Sequence, residues 1–183
     1  MLESKRCTAL CKDGVRCRRH VIIGQDLCHT HLRYQRHLLI KTSTIPGAGR
    51  GLFACDLKAV DGIVFRPGDK LGKYIGERLT LAQLHERYGV DATPPYALEI
   101  SKSGADGNGI YLDPALDRGF LSIANAKTVA TQCNARFMNP NNQHEVSIVA
   151  TKNIRHGDEV FLHYGPHTKD ILAADSSTVF VRK

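Results

Sequence analysis

Four of the six cysteines, Cys7, Cys11, Cys17 and Cys28, fall within the first 28 residues, and His31 follows Cys28 at a C-x-x-H spacing. Thiolates and an imidazole this close together form a soft donor set, and four such donors closing a tetrahedron suit zinc. The stretch from Met1 to Cys7 has no apolar run of a signal peptide, so an intracellular chain is expected, in which disulfides are held reduced. The cluster therefore reads as a metal site rather than a disulfide framework. Cys7, Cys17, Cys28 and His31 are the preferred ligands, with Cys11 as the alternative to Cys7 or Cys17, and His20 or His29 able to serve. Gly14, within Lys12-Asp13-Gly14-Val15, supplies a tight turn that returns Cys17 toward Cys7. A segment this short has too little apolar core to fold alone, so the metal would supply its folding energy.

Charge divides the chain near the same boundary. Of 25 basic and 18 acidic side chains, residues 1–41 hold nine basic and three acidic, leaving 16 and 15 in the rest. Six of the seven net positive charges thus precede a nearly neutral body. Such asymmetry reports on partners rather than fold, and the expected partner of this end is nucleic acid or an acidic protein. The spacing is not that of a two-Cys-two-His groove-reading finger, so phosphate contact is expected without base readout. At 42% hydrophobic, the chain can bury a core, which excludes disorder throughout. No apolar stretch approaches the roughly 18 residues that span a bilayer, so no membrane partner is expected.

The body that must position any further chemistry reads as short strands with few helices. Strands are expected at 37–43, 70–75, 96–100, 110–113, 146–151 and 159–164, where β-rich runs are bounded by polar turns. One helix is marked by Thr80 and Gln83 as a capping box, by Leu81, Leu84 and Tyr88 along one stripe, and by Gly89 as its stop. Loops are signalled at Arg66 to Asp69, Gly104 to Gly109 and Asn139 to Asn142. There is no βαβ alternation. The expected class is mostly β with few short helices.

Three segments in order carry a resemblance: Ile45-Pro46-Gly47-Ala48-Gly49-Arg50-Gly51-Leu52-Phe53-Ala54, then Asn125 followed by Asn134-Ala135-Arg136-Phe137, then Val149 through Gly165 containing Gly157-Asp158-Glu159-Val160-Phe161-Leu162-His163-Tyr164. With Lys73-Tyr74-Ile75-Gly76-Glu77 between them, they resemble a SET domain of the protein-lysine methyltransferase family, over about residues 38–165. The resemblance implies a SET-domain β-fold of several small sheets with a pseudoknot-like C-terminal part. It divides the chain into a basic zinc module (1–35), a SET domain (36–165) and a tail (166–183) that closes the lysine channel. The run Cys-x-Ala-x-x-Lys-x-Gly-x-x-Cys…Gly-x-x-x-Cys-x-x-His also resembles a short zinc motif of some viral and microbial proteins. In that motif the position of Cys11 is generally Thr, which favours Cys7.

By resemblance, the cofactor is S-adenosylmethionine, contacted by Ala48, Gly49, Arg50, Asn125, Ala126 and Tyr164. Tyr164 matches the catalytic tyrosine, with Tyr74 beside it; Tyr74, Phe137, Leu162 and Tyr164 map onto the walls of the substrate channel. A glycine-rich turn at 47–50 lets backbone come close to a ligand. In-line displacement at a sulfonium methyl needs the amine held opposite the leaving sulfur, and a dry aromatic channel lowers the lysine pKa by desolvation. Phe137 and Leu162 lack the hydroxyl that restrains repeated methylation in the family, so addition of more than one methyl is expected.

Departures from the pattern are specific. The family's Asn-His-Ser-Cys cluster is here Asn125-Ala126-Lys127, its Arg three residues earlier is Ser122, and no three-cysteine cluster follows Tyr164. Cys55 and Cys133 read as buried thiols. The expected function is a protein-lysine N-methyltransferase, with a histone tail the default substrate by analogy and a nuclear rather than cytoplasmic location. The alternative is a noncatalytic SET-like binding module or subunit of a chromatin or nucleic-acid complex, with catalysis weakened or lost through the altered Asn125-Ala126-Lys127 region.

Overall fold

The first described residues form an irregular hairpin, bridged at Arg6–His20 and Leu10–Arg16 and turned by Gly14, whose φ of +78° suits only glycine among ordinary residues. The computed structural model describes residues 5–21, 25–90, 94, 97–101, 109–127, 129–138 and 145–163. Tyr164, the tail 166–183 and most of the loop signals at 104–109 and 139–142 lie outside them.

After the hairpin comes α1 (His29–Arg36), with Cys28 as its extended N-cap. This helix is absent from the sequence expectations because it buries only Leu32 and so shows no apolar stripe. Arg33 and Arg36 in its last turn complement the negative end of the helix dipole.

β1 (Leu38–Thr42) and β2 (Arg50–Ala54) then pair antiparallel, from Leu38 opposite Ala54 to Thr42 opposite Arg50. β3 (Ile63–Phe65), β4 (Lys70–Tyr74) and β5 (Glu77–Thr80) lead into α2 (Leu81–Tyr88). Its capping box forms as expected: the Gln83 N–H donates to Thr80 Oγ1 at 3.3 Å, and the Thr80 N–H donates to Gln83 Oε1 at 2.9 Å. Gly89 ends the helix by donating its N–H to the His85 carbonyl. β6 (Leu98–Ser101) and β7 (Ile110–Asp113) complete a three-stranded sheet with β5 in the order β5-β7-β6. A salt-bridged knot fastens α2 to it. The fully buried Asp113 accepts from Arg87 Nη1 at 2.9 Å and from the Tyr88 hydroxyl at 2.8 Å.

The remaining strands are β8 (Asn125–Ala126), β9 (Ala135–Met138), β10 (Val146–Ala150), β11 (Ile154–Arg155) and β12 (Phe161–Leu162). β11 pairs with β3, and the main sheet runs β4-β10-β9-β12-β8. β12 lies between β8 and β9 and is parallel to both, the pseudoknot-like arrangement. It is shorter than the strand expected at 159–164. Glu159 bridges Phe53 and the Val160 N–H donates to the Leu52 carbonyl, so the chain leaves one sheet before entering another and no single neighbour pairs with it throughout.

The core is continuous from Cys7, Cys17 and Leu32, through Leu38 and Leu52, to Ile148, Val160 and Leu162. No helix among the described residues is long and apolar enough to cross a membrane.

Candidate functional site

Two sites emerge, and the hairpin builds the first. The Cys17 N–H donates to the Ala9 carbonyl, and the Cys7 N–H to the Arg19 carbonyl, which draws the two cysteines together. The Asp13 carboxylate accepts the Val15 N–H at 3.0 Å and shapes the turn. The C-x-x-H spacing places Cys28 at the N-cap of α1 and His31 in its first turn, and the Cys28 N–H points at Cys7 Sγ, 3.3 Å away. The donor atoms of Cys7, Cys17, Cys28 and His31 all lie within 4.8 Å of one another. His31 Nδ1 is 3.5 Å from Cys7 Sγ and 3.3 Å from Cys28 Sγ, and the Cys17 and Cys28 sulfurs are 4.0 Å apart. A zinc tetrahedron with bonds of about 2.3 Å to sulfur and about 2.0 Å to nitrogen has edges of about 3.8 Å and about 3.5 Å. The four donors fit it.

Burial pushes the Cys7 thiol up. Burial acts on Cys28 in the same sense, but hydrogen bonds from the His31 backbone and ring, from Cys7 and from the Thr30 backbone outweigh it and hold this thiol at about 6. The structure leaves Cys11 exposed on the hairpin and His20 and His29 exposed nearby.

The second site begins at residues 43–50, the turn joining β1 to β2. The Ser43 N–H donates to the Gly49 carbonyl, and Gly47 and Gly49 adopt φ of +80° and +68°. A Cβ on either would meet nothing within 4 Å, so glycine is required here by backbone conformation and the turn lies open. Ala48, Gly49 and Arg50 are all exposed. A crevice of about 120 Å³ separates this turn from the Cys/His hairpin, lined by His20, Gln25, Leu32, Ile40 and Arg50 among others.

Beneath the turn lies a polar knot that the sequence reading missed. Glu159, only 5% exposed, accepts from Ser43 Oγ at 2.7 Å, from the Thr44 N–H at 2.7 Å and from Thr44 Oγ1 at 2.6 Å. Asn125 Nδ2 lies within hydrogen-bonding distance of Glu159 Oε1 (2.9 Å), Ser43 Oγ (2.9 Å) and the Arg50 carbonyl (3.1 Å). Burial raises the Glu159 carboxyl, but the donors of Thr44, Asn125 and Ser43 outweigh burial and hold it below the usual carboxylate range. Gly51 makes room for the knot: a Cβ there would fall on Glu159 Oε1 and lie 2.8 Å from its Cδ.

Asn134 fixes the next stretch. Its Nδ2 donates to the Glu159 carbonyl and its Oδ1 accepts the Phe161 N–H, both at 2.8 Å. In the sequence Glu159 alternates with the apolar Val160 and Leu162 and so reads as an outward residue. The available signal is the hydroxyl pair Ser43-Thr44 ahead of Gly51, which calls for an acceptor.

The sheet register gathers three of the four channel positions. Tyr74 pairs with Val146, Phe137 with Ile148, and Leu162 with both Ala135 and Ala126. Because residues two apart on a strand share a face, Tyr74, Phe137, Leu162 and Ala126 belong to one face of the main sheet. Tyr74 and Phe137 touch edge to face, with centroids 5.2 Å apart at 85°. Tyr164, assigned to catalysis, cofactor and channel alike, lies outside the described residues.

The departing positions have local roles. The Ser122 hydroxyl donates to the Gly119 carbonyl in its own turn, and Lys127 Nζ stands 4.5 Å over the Phe161 ring. Cys55 and Cys133 are buried free thiols, and burial pushes Cys133 up.

No protein-family model and no curated protein matches the chain. Solved structures do. A chain of the Chaetomium thermophilum polycomb repressive complex 2 is 22% identical with a TM-score of 0.53, over 70% of this chain and 15% of that one. The same complex in an autoinhibited conformation, described as bound to S-adenosylmethionine, is 21% identical with a TM-score of 0.52, over 77% of this chain and 17% of that one. The Neurospora SET domain protein DIM-5, described as a histone lysine methyltransferase, is 17% identical with a TM-score of 0.52, over 69% of this chain and 51% of that one. This chain therefore spans about half of DIM-5 and a far smaller share of the polycomb chains. Among the described residues, its several small sheets and two α-helices are those of a mostly β chain, in keeping with the likeness to these structures. The chain has the SET-domain fold, joined at its N-terminal end to a Cys/His cluster that fits a zinc module.

Proposed function

We propose that this chain is a protein-lysine N-methyltransferase that uses S-adenosylmethionine, acts on a histone-type tail, works in the nucleus and holds zinc through Cys7, Cys17, Cys28 and His31. The observation that carries the catalytic reading is the join between two features. The open turn at Gly47 to Arg50 is tied through Asn125 and Glu159 to the sheet whose one face aligns Tyr74, Phe137 and Leu162. The likeness to a protein described as a histone lysine methyltransferase supports the substrate class.

In this reading Ala48, Gly49, Arg50, Asn125, Ala126 and Tyr164 hold the cofactor. When bound, S-adenosylmethionine would supply a methyl that a neutral amine can accept at carbon, the S–CH3 bond breaking with the neutral thioether as leaving group. Tyr74 and Phe137 wall an apolar passage in which an ammonium loses hydration, so the lysine nitrogen gives its proton to solvent and arrives as the amine. The Tyr164 hydroxyl orients that nitrogen without itself needing to ionise. Because Phe137 and Leu162 present no hydroxyl to the amine, the site takes a methylated lysine again. Residues 1–35 act as the zinc module, 36–165 as the catalytic domain and 166–183 as the segment that closes the channel.

Incubation with a lysine-peptide array and labelled S-adenosylmethionine tests this. Transfer is expected, Tyr164→Phe should abolish it with cofactor affinity nearly intact, and mass spectrometry should show more than one methyl. The specific observation favouring the noncatalytic alternative is that the amino group of Asn125, with two protons, already faces three protein acceptors while the side chain of Ala126 offers no polar group. Calorimetry with S-adenosylmethionine separates the readings: no heat at high cofactor concentration establishes the noncatalytic module.

A further inference from the structure

The Cys/His module carries an open groove of about 760 Å³, whose walls include Leu10, Lys12, Arg16, Arg18, Arg19 and Tyr34. Three residues of the groove expose large apolar surface: Leu10 is 61% exposed, the neighbouring wall residue Val15 51% and Tyr34 69%. Among the described residues, Lys12, Arg16, Arg18 and Arg19 form no ion pair, and Asp13, the acid in the groove wall, has an oxygen on the Val15 N–H. The guanidiniums of Arg16 and Arg19 are braced in advance. Arg16 donates from Nε to the Cys7 carbonyl and from Nη2 to the Arg6 carbonyl, both at 3.0 Å, and Arg6 returns the bond to the Arg16 carbonyl at 2.7 Å. Arg19 Nη1 is held by Thr30 Oγ1. Side chains fixed by the fold lose less freedom on binding, so an anion meeting them is held at smaller entropic cost.

We propose that this groove binds single-stranded nucleic acid, with phosphates against Lys12, Arg16, Arg18 and Arg19 and a base stacked on Tyr34. Planar guanidiniums suit phosphate, and an exposed aromatic ring among cations matches the platform on which an unstacked base lies. A duplex would satisfy the arginines but keeps its bases within its own stack. An acidic peptide would satisfy them too, yet gives the Tyr34 ring no flat partner. A lysine-rich tail is repelled by this face, so the groove is separate from any channel for a lysine substrate, and the inference stands whether or not the chain transfers methyl groups.

Fluorescence anisotropy of the purified full chain with a labelled oligothymidylate about 12 nucleotides long tests it. Binding should weaken with salt, log Kd against log salt rising with a slope of about 3 if four phosphates are neutralised. Exchanging Lys12 and Arg18 for Gln should lower that slope by about 1.4. Tyr34→Ala should weaken binding roughly tenfold while Tyr34→Phe keeps it. All three positions are exposed, and circular dichroism reports whether each variant folds as the parent does. Failure to bind in low salt overturns the proposal. So does equal competition by polyglutamate at matched charge, which identifies an acidic protein surface, or equal binding of a hairpin duplex with Tyr34→Ala silent, which identifies charge attraction alone.

Discussion

The Cys/His module and the Glu159 knot solve one problem, holding a turn in place, by opposite means. The module brings its hairpin to α1 through four donor atoms within 4.8 Å, three of them on the buried Cys7, Cys17 and Cys28 at the N-terminal end of the core. The knot holds the 43–50 turn through hydrogen bonds to one carboxylate more than a hundred residues away in the chain, inside a packed core. A ligand cluster needs little chain and no distant partner, so its logic is local. A hydrogen-bonded knot exists only after the sheets have closed, because a buried carboxylate without its donors is strongly unfavourable.

The largest difference between the two regions is expected on chelation of the zinc that Cys7, Cys17, Cys28 and His31 would hold. Structural zinc contributes apparent free energies of about 10–16 kcal/mol, so a strong chelator should release one zinc per chain and abolish the order of the hairpin and α1. Because Leu32 and the cysteines share the core with Leu38 and Leu52, the melting temperature of the whole chain should fall as well. Cys28→Ser should reproduce this, whereas Cys11→Ser should leave zinc content unchanged; a pyridylazoresorcinol assay with calorimetry reads both.

The knot should respond less and without loss of metal. Gly51→Ala pushes a methyl onto the Glu159 carboxylate and should destabilise by about 1–3 kcal/mol in urea unfolding. Glu159→Gln keeps the shape but removes the charge that four donor groups of Ser43, Thr44 and Asn125 address. A loss of about 1–3 kcal/mol is expected, with weaker S-adenosylmethionine binding and full zinc content. Unchanged cofactor affinity would separate the knot from the turn it holds.

Acid sharpens the same contrast. The folded-state pKa of Glu159 lies below its unfolded value of about 4.3, so its contribution is fully present above that pH and disappears as the pH falls through the folded value. Urea midpoints measured from neutral pH to below pH 4 should therefore fall more steeply for the parent than for Glu159→Gln. The smallest effect belongs to a purely local device: Thr80→Ala removes the α2 cap and should cost about 1 kcal/mol, leaving zinc and cofactor binding alone.

Legibility followed the same division. The α2 capping box, the Gly14 turn and the C-x-x-H pairing are read from residues a few positions apart, and each appears where the spacing puts it. α1 is not legible, since one buried leucine makes no stripe and the helix packs on β1 with Cys28 and His31 of the Cys/His cluster at its start. Phe161 and Leu162 were legible as strand, but not their place between β8 and β9, because a parallel neighbour leaves no mark in local alternation. Glu159 reads as a surface residue by alternation and is buried by a turn that arrives from the other end of the domain.

Donor types and spacing alone determined the Cys/His cluster, the basic end, the β-rich body and the order of its glycine and asparagine motifs, because each rests on short-range stereochemistry or on net charge. Tertiary structure decided which donors meet, which face gathers Tyr74, Phe137 and Leu162, and that one carboxylate ties the open turn to the sheet. Those outcomes depend on strand order and register. Both are settled by how apolar faces close over one another across the whole chain, and no short window of sequence contains that closure.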